Sequence, residues 1–204
     1  MDWSLLHALN DFLSRHDAVE DPLLFYVNAS EALFVATLAL VFLAARGSGS
    51  TAWRRASLAA VLSAGLGLAA AKAIAELVDR ARPFVADPHG VHLFSGHAAD
   101  PGFPSDHATA AFAIAVAILL RRRGWGIVAL VAAAVLSVGR VALGVHYPSD
   151  VLAGALVGFG AATLVTTLGR TWVVRLVVLV SRVTDPLLRP VWAWCRRLMP
   201  APRL

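Results

Sequence analysis

The sequence has little cysteine, little charge and no stretch with the composition of a linker. Cys195 is its one cysteine, which excludes an intrachain disulfide and argues against a thiolate metal site. Because no Ser/Gly/Pro-rich or charge-rich stretch is long enough to separate two domains, we predict a single domain over residues 1–204. No basic region with a cleavage site follows Met1, and we therefore expect no removed signal peptide.

The most abundant residues are apolar. Hydrophobic residues make up 58% of the chain and charged residues 15%, with a mean hydropathy of +0.70. This balance lies outside the range of ordinary soluble proteins and indicates a protein of the bilayer. The net charge of +5 would also suit nucleic acid, but the arginines lie at the ends of apolar runs. We therefore expect membrane lipids, anionic ones in particular, as partners and no nucleic acid.

The apolar residues are grouped in runs of membrane-spanning length. These runs occupy about 22–45, 56–79, 106–120, 125–143 and 150–169, of which the third is short. The pattern predicts an all-α fold, a polytopic integral membrane helical bundle with about five transmembrane helices and a catalytic core over 22–169.

Arginines mark alternate connections between these runs. Arg46, Arg54 and Arg55 lie between the first two runs, and Arg121-Arg122-Arg123 between the third and the fourth. By the positive-inside rule both connections are cytoplasmic. The loops 80–105 and 144–149 are then both expected on the outer face of the membrane.

The two ends of the chain are predicted to lie on the membrane surface. Residues 1–20 have amphipathic spacing too short to span, which predicts an outer interfacial helix. Within 170–204, arginines recur every seven residues at 175, 182, 189, 196 and 203, nearly one stripe of a helix. We expect Pro186 and Pro190 to break any single long helix. A basic segment on the cytoplasmic face is favoured over a sixth span, which would place arginines in hydrocarbon.

Three short motifs with charged side chains lie at the ends of the apolar runs. They are Arg82-Pro83-Phe84, Pro104-Ser105-Asp106-His107, and Gly139-Arg140 followed by His146-Tyr147-Pro148-Ser149-Asp150. Cleavage of a phosphate ester or anhydride needs a nucleophile, cations for the phosphoryl oxygens and an acid for the leaving oxygen. The motifs contain residues of each type, on the face that the arginine pattern predicts to be the outer one.

His146 is the candidate nucleophile. Asp150 follows it by four residues, about one helical turn, and Pro148 suits the first position of the last span. A carboxylate there can accept one ring N–H of the imidazole and leave the other nitrogen free to attack.

The second motif and the arginines are the candidate phosphate site. Ser105 or Asp106 is a suitable N-cap, and the helix N-terminus after it would bind phosphate. His107 is the candidate general acid. Arg82 and Arg140 offer bidentate donors for phosphoryl oxygens. Arg80 either holds a second phosphate or anchors a lipid headgroup.

Together these motifs resemble the signatures of the type 2 phosphatidic acid phosphatase superfamily. Over about residues 71–155 the chain is most similar to the bacitracin-resistance type of undecaprenyl-diphosphate phosphatase. The resemblance implies hydrolysis of a polyprenyl diphosphate lipid at the outer face of the bacterial cytoplasmic membrane, in recycling of the cell-wall carrier lipid. It also implies a phosphohistidine on His146 and no cofactor.

The chain departs from the superfamily pattern at two positions. Ala75 stands where a lysine is common, and Gly139 where a serine is common before the third-motif arginine. Lys72, one turn deeper, either reaches the phosphate by extending outward or is structural. Glu31 and Glu76 are available to neutralise it.

Other interpretations predict different chemistry. The same scaffold would suit a phosphatidylglycerophosphate or phosphatidic acid phosphatase, because a tail groove carries no readable code. A transporter or binding protein for anionic lipid would need repeats or broken helices, and we find no inverted repeat. A metal site would use His89, His92, His97 and Asp100, but their spacing matches no common zinc motif. We expect these to be polar loop residues or to lie around the diphosphate. Finally, we expect five glycines to allow close helix contact, namely Gly65, Gly67, Gly154, Gly158 and Gly160.

Overall fold

The computed structural model of the protein describes residues 1–45 and 50–198. Within those ranges the regular elements are eight helices: α1 (Asp2–Leu13), α2 (Asp17–Ala44), α3 (Ser50–Ala75), α4 (Pro83–Ala86), α5 (Asp106–Leu119), α6 (Arg123–Ala142), α7 (Pro148–Thr167) and α8 (Arg170–Leu198). The all-α prediction is confirmed. Arg46 and Arg203 lie outside the described residues, as do the side chains of Cys195 and Arg196.

Each of the five apolar runs lies on a helix. Four of these helices, α2, α3, α6 and α7, are long and apolar enough to cross a membrane, in agreement with a multi-pass membrane protein. The fifth, α5, has 14 residues, about 21 Å of helix, and is shorter than the hydrocarbon core of about 30 Å. Because α5 packs against α3, α6 and α7, protein surrounds this short helix.

Small residues bring α5 and α7 into close contact. The alanines of α5 at 108, 111, 113, 115 and 117 are all buried. On α7, a Cβ added at Gly154 would stand 2.6 Å from the carbonyl oxygen of Ser105, and one at Gly158 would collide with the carbonyl oxygen of Thr109. Close helix contact is therefore confirmed at these two glycines and at Gly67, which faces Thr109. The expectation of close contact was wrong for Gly65 and Gly160, where an added Cβ would meet open space.

The helix ends form two clusters, which we call the motif end and the opposite end. At the motif end, the start of α5 contacts the start of α7, where the Ser105 N–H donates to the carbonyl of Asp150 at 3.0 Å. At the opposite end, Trp53 of α3 and Trp125 of α6 meet edge to face. The arginines Arg54, Arg55 and Arg121–Arg123 lie at the opposite end. All three motifs are thus separated from these arginines by the length of the bundle.

Both terminal segments differ from the prediction. The N-terminal helix ends at Leu13, and α2 begins at Asp17, so residues 1–20 are two helices. The expectation that Pro186 and Pro190 would break the last helix was wrong, because α8 runs from Arg170 to Leu198 through both. Each proline removes only its own hydrogen bond to residue i−4. Both prolines are exposed, so water can solvate the carbonyls left without a donor.

Candidate active site

His146 lies in the short connection between α6 and α7, next to a turn that requires glycine. Gly144 has φ of +78°, a left-handed conformation that glycine adopts without steric cost. A Cβ there would also stand 2.8 Å from the carbonyl oxygen of His92. His146 follows this turn and is 2% exposed, so its ring is fixed by the surrounding protein.

The hydrogen bonds of His146 define which ring nitrogen carries the proton. Nδ1 lies 3.0 Å from the carbonyl oxygen of Gly102, which only accepts, so Nδ1 is the donor. Nε2 lies 3.2 Å from Nη1 of Arg82 and 3.4 Å from Nη2 of Arg140. Guanidinium groups only donate, so Nε2 is the acceptor with its lone pair toward the arginines. The ring is thus neutral, and the lone pair of Nε2, the candidate attacking atom, faces two cations.

Electrostatics favour this neutral form. Burial, and then the charges of Arg140 and Arg82, lower the pKa of His146 well below its ordinary value. Both causes disfavour the protonated ring, since burial penalises any charge and the guanidiniums repel a second positive charge.

The two arginines are buried and held from outside by the loop that precedes α5. Arg82 is 6% exposed and Arg140 is 5% exposed. Nε of Arg82 lies 3.1 Å from both the carbonyl and a carboxylate oxygen of Asp100, and Nη2 of Arg140 donates to Nε2 of His97 at 2.9 Å. Although burial raises the pKa of Asp100, the hydrogen bond from Arg82 holds it below its usual range.

Charge is left uncompensated around His146. Within the described residues, Asp100 pairs with Arg82, and no carboxylate pairs with Arg140. The Asp100 side chain is 57% exposed. Nε of Arg140 is buried and has no hydrogen-bond partner in the described part of the chain. Two buried cations with one exposed anion and a free donor form a site that favours an anion with several acceptor oxygens.

Asp150 does not make the hydrogen bond that its spacing predicted. Its Oδ2 is 3.7 Å from Nδ1 of His146, beyond hydrogen-bonding distance. It accepts instead from the backbone N–H of Tyr147 at 2.8 Å, and its Oδ1 pairs with Arg80 at 2.7 Å. The carbonyl oxygen of Gly102 accepts the Nδ1 hydrogen bond that was expected of the carboxylate. Asp150 thus contributes charge next to the imidazole and caps α7.

Arg80 is held by several groups of the protein at the motif end. Besides Asp150, it donates to Ser149 at 2.6 Å and to Asp2 of α1 at 3.1 Å, and its guanidinium carbon lies 4.0 Å from the ring centre of Tyr147. These contacts make Arg80 a tie between α1 and α7, and a contact with a second phosphate stays a prediction.

At the start of α5, Ser105 is the N-cap and Asp106 is not. The Ser105 hydroxyl accepts from the N–H of Ala108 at 3.4 Å, while the side chain of Asp106 is exposed. The first helical N–H groups, those of Asp106 and His107, have no residue four positions earlier in the helix to accept from them. They remain suited to phosphate oxygens.

His107 contacts Glu31 of α2. Its Nε2 lies 3.2 Å from Oε1 of Glu31, and the two side chains are 22% and 75% exposed. The expectation that Glu31 neutralises Lys72 was therefore wrong. Lys72 is exposed on α3 and makes no hydrogen bond or ion pair within the described residues, so no contact joins it to the site.

The glycine before the third-motif arginine has a packing reason. A Cβ at Gly139 would stand 2.8 Å from Cγ2 of Val27 and 3.0 Å from Cδ1 of Leu23, both on α2. The position faces α2, and a serine there would force the side chains of Val27 and Leu23 to move.

The four residues considered for a metal have separate environments. His97 and Asp100 contact Arg140 and Arg82, respectively, and their place around a diphosphate stays a prediction. His89 and His92 are exposed. Across residues 1–45 and 50–198, no group of three or more His, Cys, Asp or Glu side chains is arranged to hold a metal ion.

Three groups that hold the site were not predicted. The Gly102 carbonyl has no side-chain signal in a sequence. Asp2 and Asn10 lie on α1: Asp2 accepts from the Ser149 hydroxyl at 2.6 Å, and Asn10 donates to the carbonyls of His92 and Ala142, both at 2.8 Å. The sequence did contain a signal for Asn10. It is a polar residue on the same helix face as Leu6 and Leu13, where an amphipathic helix is expected to be apolar.

Comparison with known proteins supports a phosphatase. The family model of the PAP2 superfamily matches residues 56–175. The chain is 38% identical over 159 residues, 77% of its own length and 78% of the relative's, to undecaprenyl-diphosphatase BcrC of Bacillus subtilis (strain 168). It is 45% identical over 87 residues, 40% of its length and 36% of the relative's, to a lipid A 1-phosphatase of Rhizobium etli (strain ATCC 51251 / DSM 11541 / JCM 21823 / NBRC 15573 / CFN 42).

One crystal structure shares the fold. It is the first transmembrane PAP2 type phosphatidylglycerolphosphate phosphatase from Bacillus subtilis, with a TM-score of 0.58 and 20% sequence identity. The superposition covers 83% of this chain and 86% of that one. At this identity the similarity concerns the arrangement of helices.

The environment of His146 predicts a titration below the ordinary histidine value of about 6.5. In detergent, ¹⁵N-histidine NMR, with the resonance assigned from its loss in His146→Gln, should show a neutral Nδ1–H ring down to pH well under 6.5. Arg140→Gln should move the midpoint upward, because it removes a positive charge, whereas Arg123→Gln, at the far end of α6, should not. A wild-type midpoint at or above about 6.5 would contradict the geometry.

Proposed function

The chain belongs to the PAP2 superfamily, and we propose that it hydrolyses undecaprenyl diphosphate to undecaprenyl phosphate and inorganic phosphate. The observation that carries the proposal is the buried Nε2 of His146, which faces Arg82 and Arg140. A phosphoryl group bound between these three residues would replace the direct contacts between them. Its equatorial oxygens would accept from the guanidiniums, and its phosphorus would lie in front of the nucleophile.

In the first step, Nε2 of His146 attacks the terminal phosphorus. An N–P bond forms while the bond from phosphorus to the bridging oxygen breaks, which leaves a phosphohistidine. Nδ1 keeps its proton and its hydrogen bond to Gly102, which stabilises the charge that develops on the ring. His107 gives a proton to the departing oxygen of undecaprenyl phosphate.

In the second step, water attacks the phosphohistidine. His107, now unprotonated, accepts a proton from the water, the N–P bond breaks, and inorganic phosphate leaves. Glu31, 3.2 Å from Nε2 of His107, is placed to stabilise the protonated ring that donates in the first step and that the water proton restores in the second. Arg82 and Arg140 carry the charge stabilisation in both steps, so the chemistry that we propose uses no metal.

A lipid substrate fits the surface next to the site. An apolar cavity of about 590 Å³ lies between α2, α3, α5 and α6. On α2 its lining includes Tyr26 before Glu31 and Leu33 and Phe34 after it, and it extends to Trp53 and Trp125. A prenyl tail that enters beside Glu31 would be in contact with apolar side chains from the motif end to the opposite end.

The choice of undecaprenyl diphosphate follows the relative that covers most of the chain, undecaprenyl-diphosphatase BcrC. A second candidate, a phosphatase for a phospholipid or another lipid phosphate, is favoured by the shorter match to lipid A 1-phosphatase. The two candidates share the site chemistry and differ in the leaving group.

Release of phosphate from several lipids distinguishes these candidates. In one detergent, a long-chain prenyl diphosphate should give a kcat/KM at least about tenfold above phosphatidylglycerophosphate and phosphatidic acid, a difference of about 1.4 kcal/mol. EDTA should leave the rate unchanged. His146→Gln should lose about a thousandfold or more, about 4 kcal/mol, with an unchanged circular dichroism melt. A preference for either phospholipid would overturn the substrate.

We also propose that the motif end faces outward, so that the enzyme recycles the carrier lipid outside the cytoplasm. Support comes from Arg54 and Arg121–Arg123, which lie together at the opposite end, since short loops rich in arginine stay in the cytoplasm.

Cysteine labelling tests this orientation. In a Cys195→Ala background, Ser95→Cys in the loop before α5 should react with a membrane-impermeant thiol reagent in intact spheroplasts. Gly124→Cys, where an added Cβ meets nothing within 4 Å, is the matched control and should react only after lysis. The reverse pattern would place the motif end in the cytoplasm.

A further inference from the structure

A polar cleft lies at the opposite end, between the start of α3 and the middle of α8. Its volume is about 510 Å³. The polar part of its lining consists of Thr51 and Arg54 from α3 and Ser181, Arg182, Asp185 and Arg189 from α8. Since α3 has 26 residues, about 39 Å of helix, this cleft is remote from His146 and cannot be a subsite for the reacting phosphate.

Arg54 is a buried arginine in the lining of the cleft. It is 7% exposed, donates to the hydroxyl of Ser181 at 2.8 Å and pairs with Asp185 at 2.7 Å. Its guanidinium carbon also lies 5.3 Å from the ring centre of Phe42. Nε of Arg54 is buried without a hydrogen-bond partner in the described ranges. A fixed guanidinium with an unused donor is thus part of this wall.

The charge of the cleft is unbalanced. Arg182 and Arg189 are both exposed and make no hydrogen bond or ion pair within residues 1–45 and 50–198. They are seven residues apart, two helical turns, so both extend from the same face of α8. Asp185 lies between them and is already paired with Arg54. Three arginines against one carboxylate leave two positive charges, next to the positive end of the α3 dipole.

The rest of the lining is apolar. Val177, Val178 and Pro186 of α8 form this part of the cleft, and Val177 belongs to the hydrophobic cluster that joins α8 to α3. An inorganic anion would gain nothing from this wall. A phospholipid would place its phosphate at the arginines and its glycerol and first methylenes against the valines.

We propose that this cleft binds the phosphate headgroup of one anionic membrane phospholipid, which thereby holds α8 against α3. The proposal is independent of the reaction at His146. It predicts one preferred lipid per chain, a higher affinity for phosphatidylglycerol than for phosphatidylcholine, and dependence on Arg182 and Arg189 beyond their contribution to net charge.

Native mass spectrometry of the full chain, released from detergent micelles with added lipid, measures this binding directly. The wild type should retain one phosphatidylglycerol at concentrations where phosphatidylcholine is lost, and millimolar inorganic phosphate should not displace it. The double variant Arg182→Gln/Arg189→Gln should weaken retention about tenfold or more, about 1.4 kcal/mol. Neither side chain has a partner in the described residues, so the melt of this variant without lipid should match the wild type.

A charge-matched control separates a built site from general attraction. Arg123→Gln/Arg175→Gln also removes two positive charges at the opposite end, but neither residue lines the cleft, and Arg175 lies over the ring of Trp172. This variant should retain the lipid as the wild type does. Equal loss in both double variants would reduce the effect to diffuse attraction and overturn the proposal. Equal retention of phosphatidylcholine, or displacement by inorganic phosphate, would do the same in the wild type alone.

Discussion

Two buried guanidiniums, those of Arg82 and Arg140, converge on one imidazole nitrogen, Nε2 of His146. Burial of two like charges is costly unless hydrogen bonds and an anion compensate it. Asp100 and the Val145 carbonyl accept hydrogen bonds from Arg82, and His97 accepts one from Arg140. The remaining positive charge is left for the substrate. In the function that we propose, the loop before α5 is part of the active site, because it holds the two cations to which the phosphate would bind.

A second network keeps the helix ends in register around that site. Asp150 joins Arg80 to the start of α7, and Asp2 joins Arg80 and Ser149 to α1. Although burial raises the pKa of Asp2, hydrogen bonds from Ser149 and Arg80 lower it below its usual value, so the carboxylate stays charged. The short α1 helix thus closes the motif end through Asp2 and Asn10, and the close packing of α5 on α7 fixes the distance between the second and third motifs.

Much of this could be predicted from the sequence, because apolar runs and cap residues are local signals. The helices that carry the five runs differ from the predicted limits by no more than six residues, and the motif order placed His146, His107, Arg82 and Arg140 at one end. What failed depended on competition between partners. Spacing put Asp150 one turn from His146. It could not show that Nδ1 donates to the Gly102 carbonyl instead, or that Arg80 donates to Asp150 and Asp2. Gly139 was interpreted as the loss of a serine hydroxyl. In the fold, the side chains of Val27 and Leu23 lie too close to this position for the Cβ of a serine.

In the mechanism that we propose, Nε2 of His146 takes the phosphoryl group from the lipid between Arg82 and Arg140. Rapid acid-free quenching of the enzyme with prenyl diphosphate labelled in its terminal phosphate, followed by peptide mass spectrometry at alkaline pH, tests it most directly. The account predicts one phosphoryl group on His146 that forms before phosphate is released, is stable to base and is lost in acid. Label on another side chain, or release of phosphate with no labelled enzyme in the pre-steady state, would contradict it.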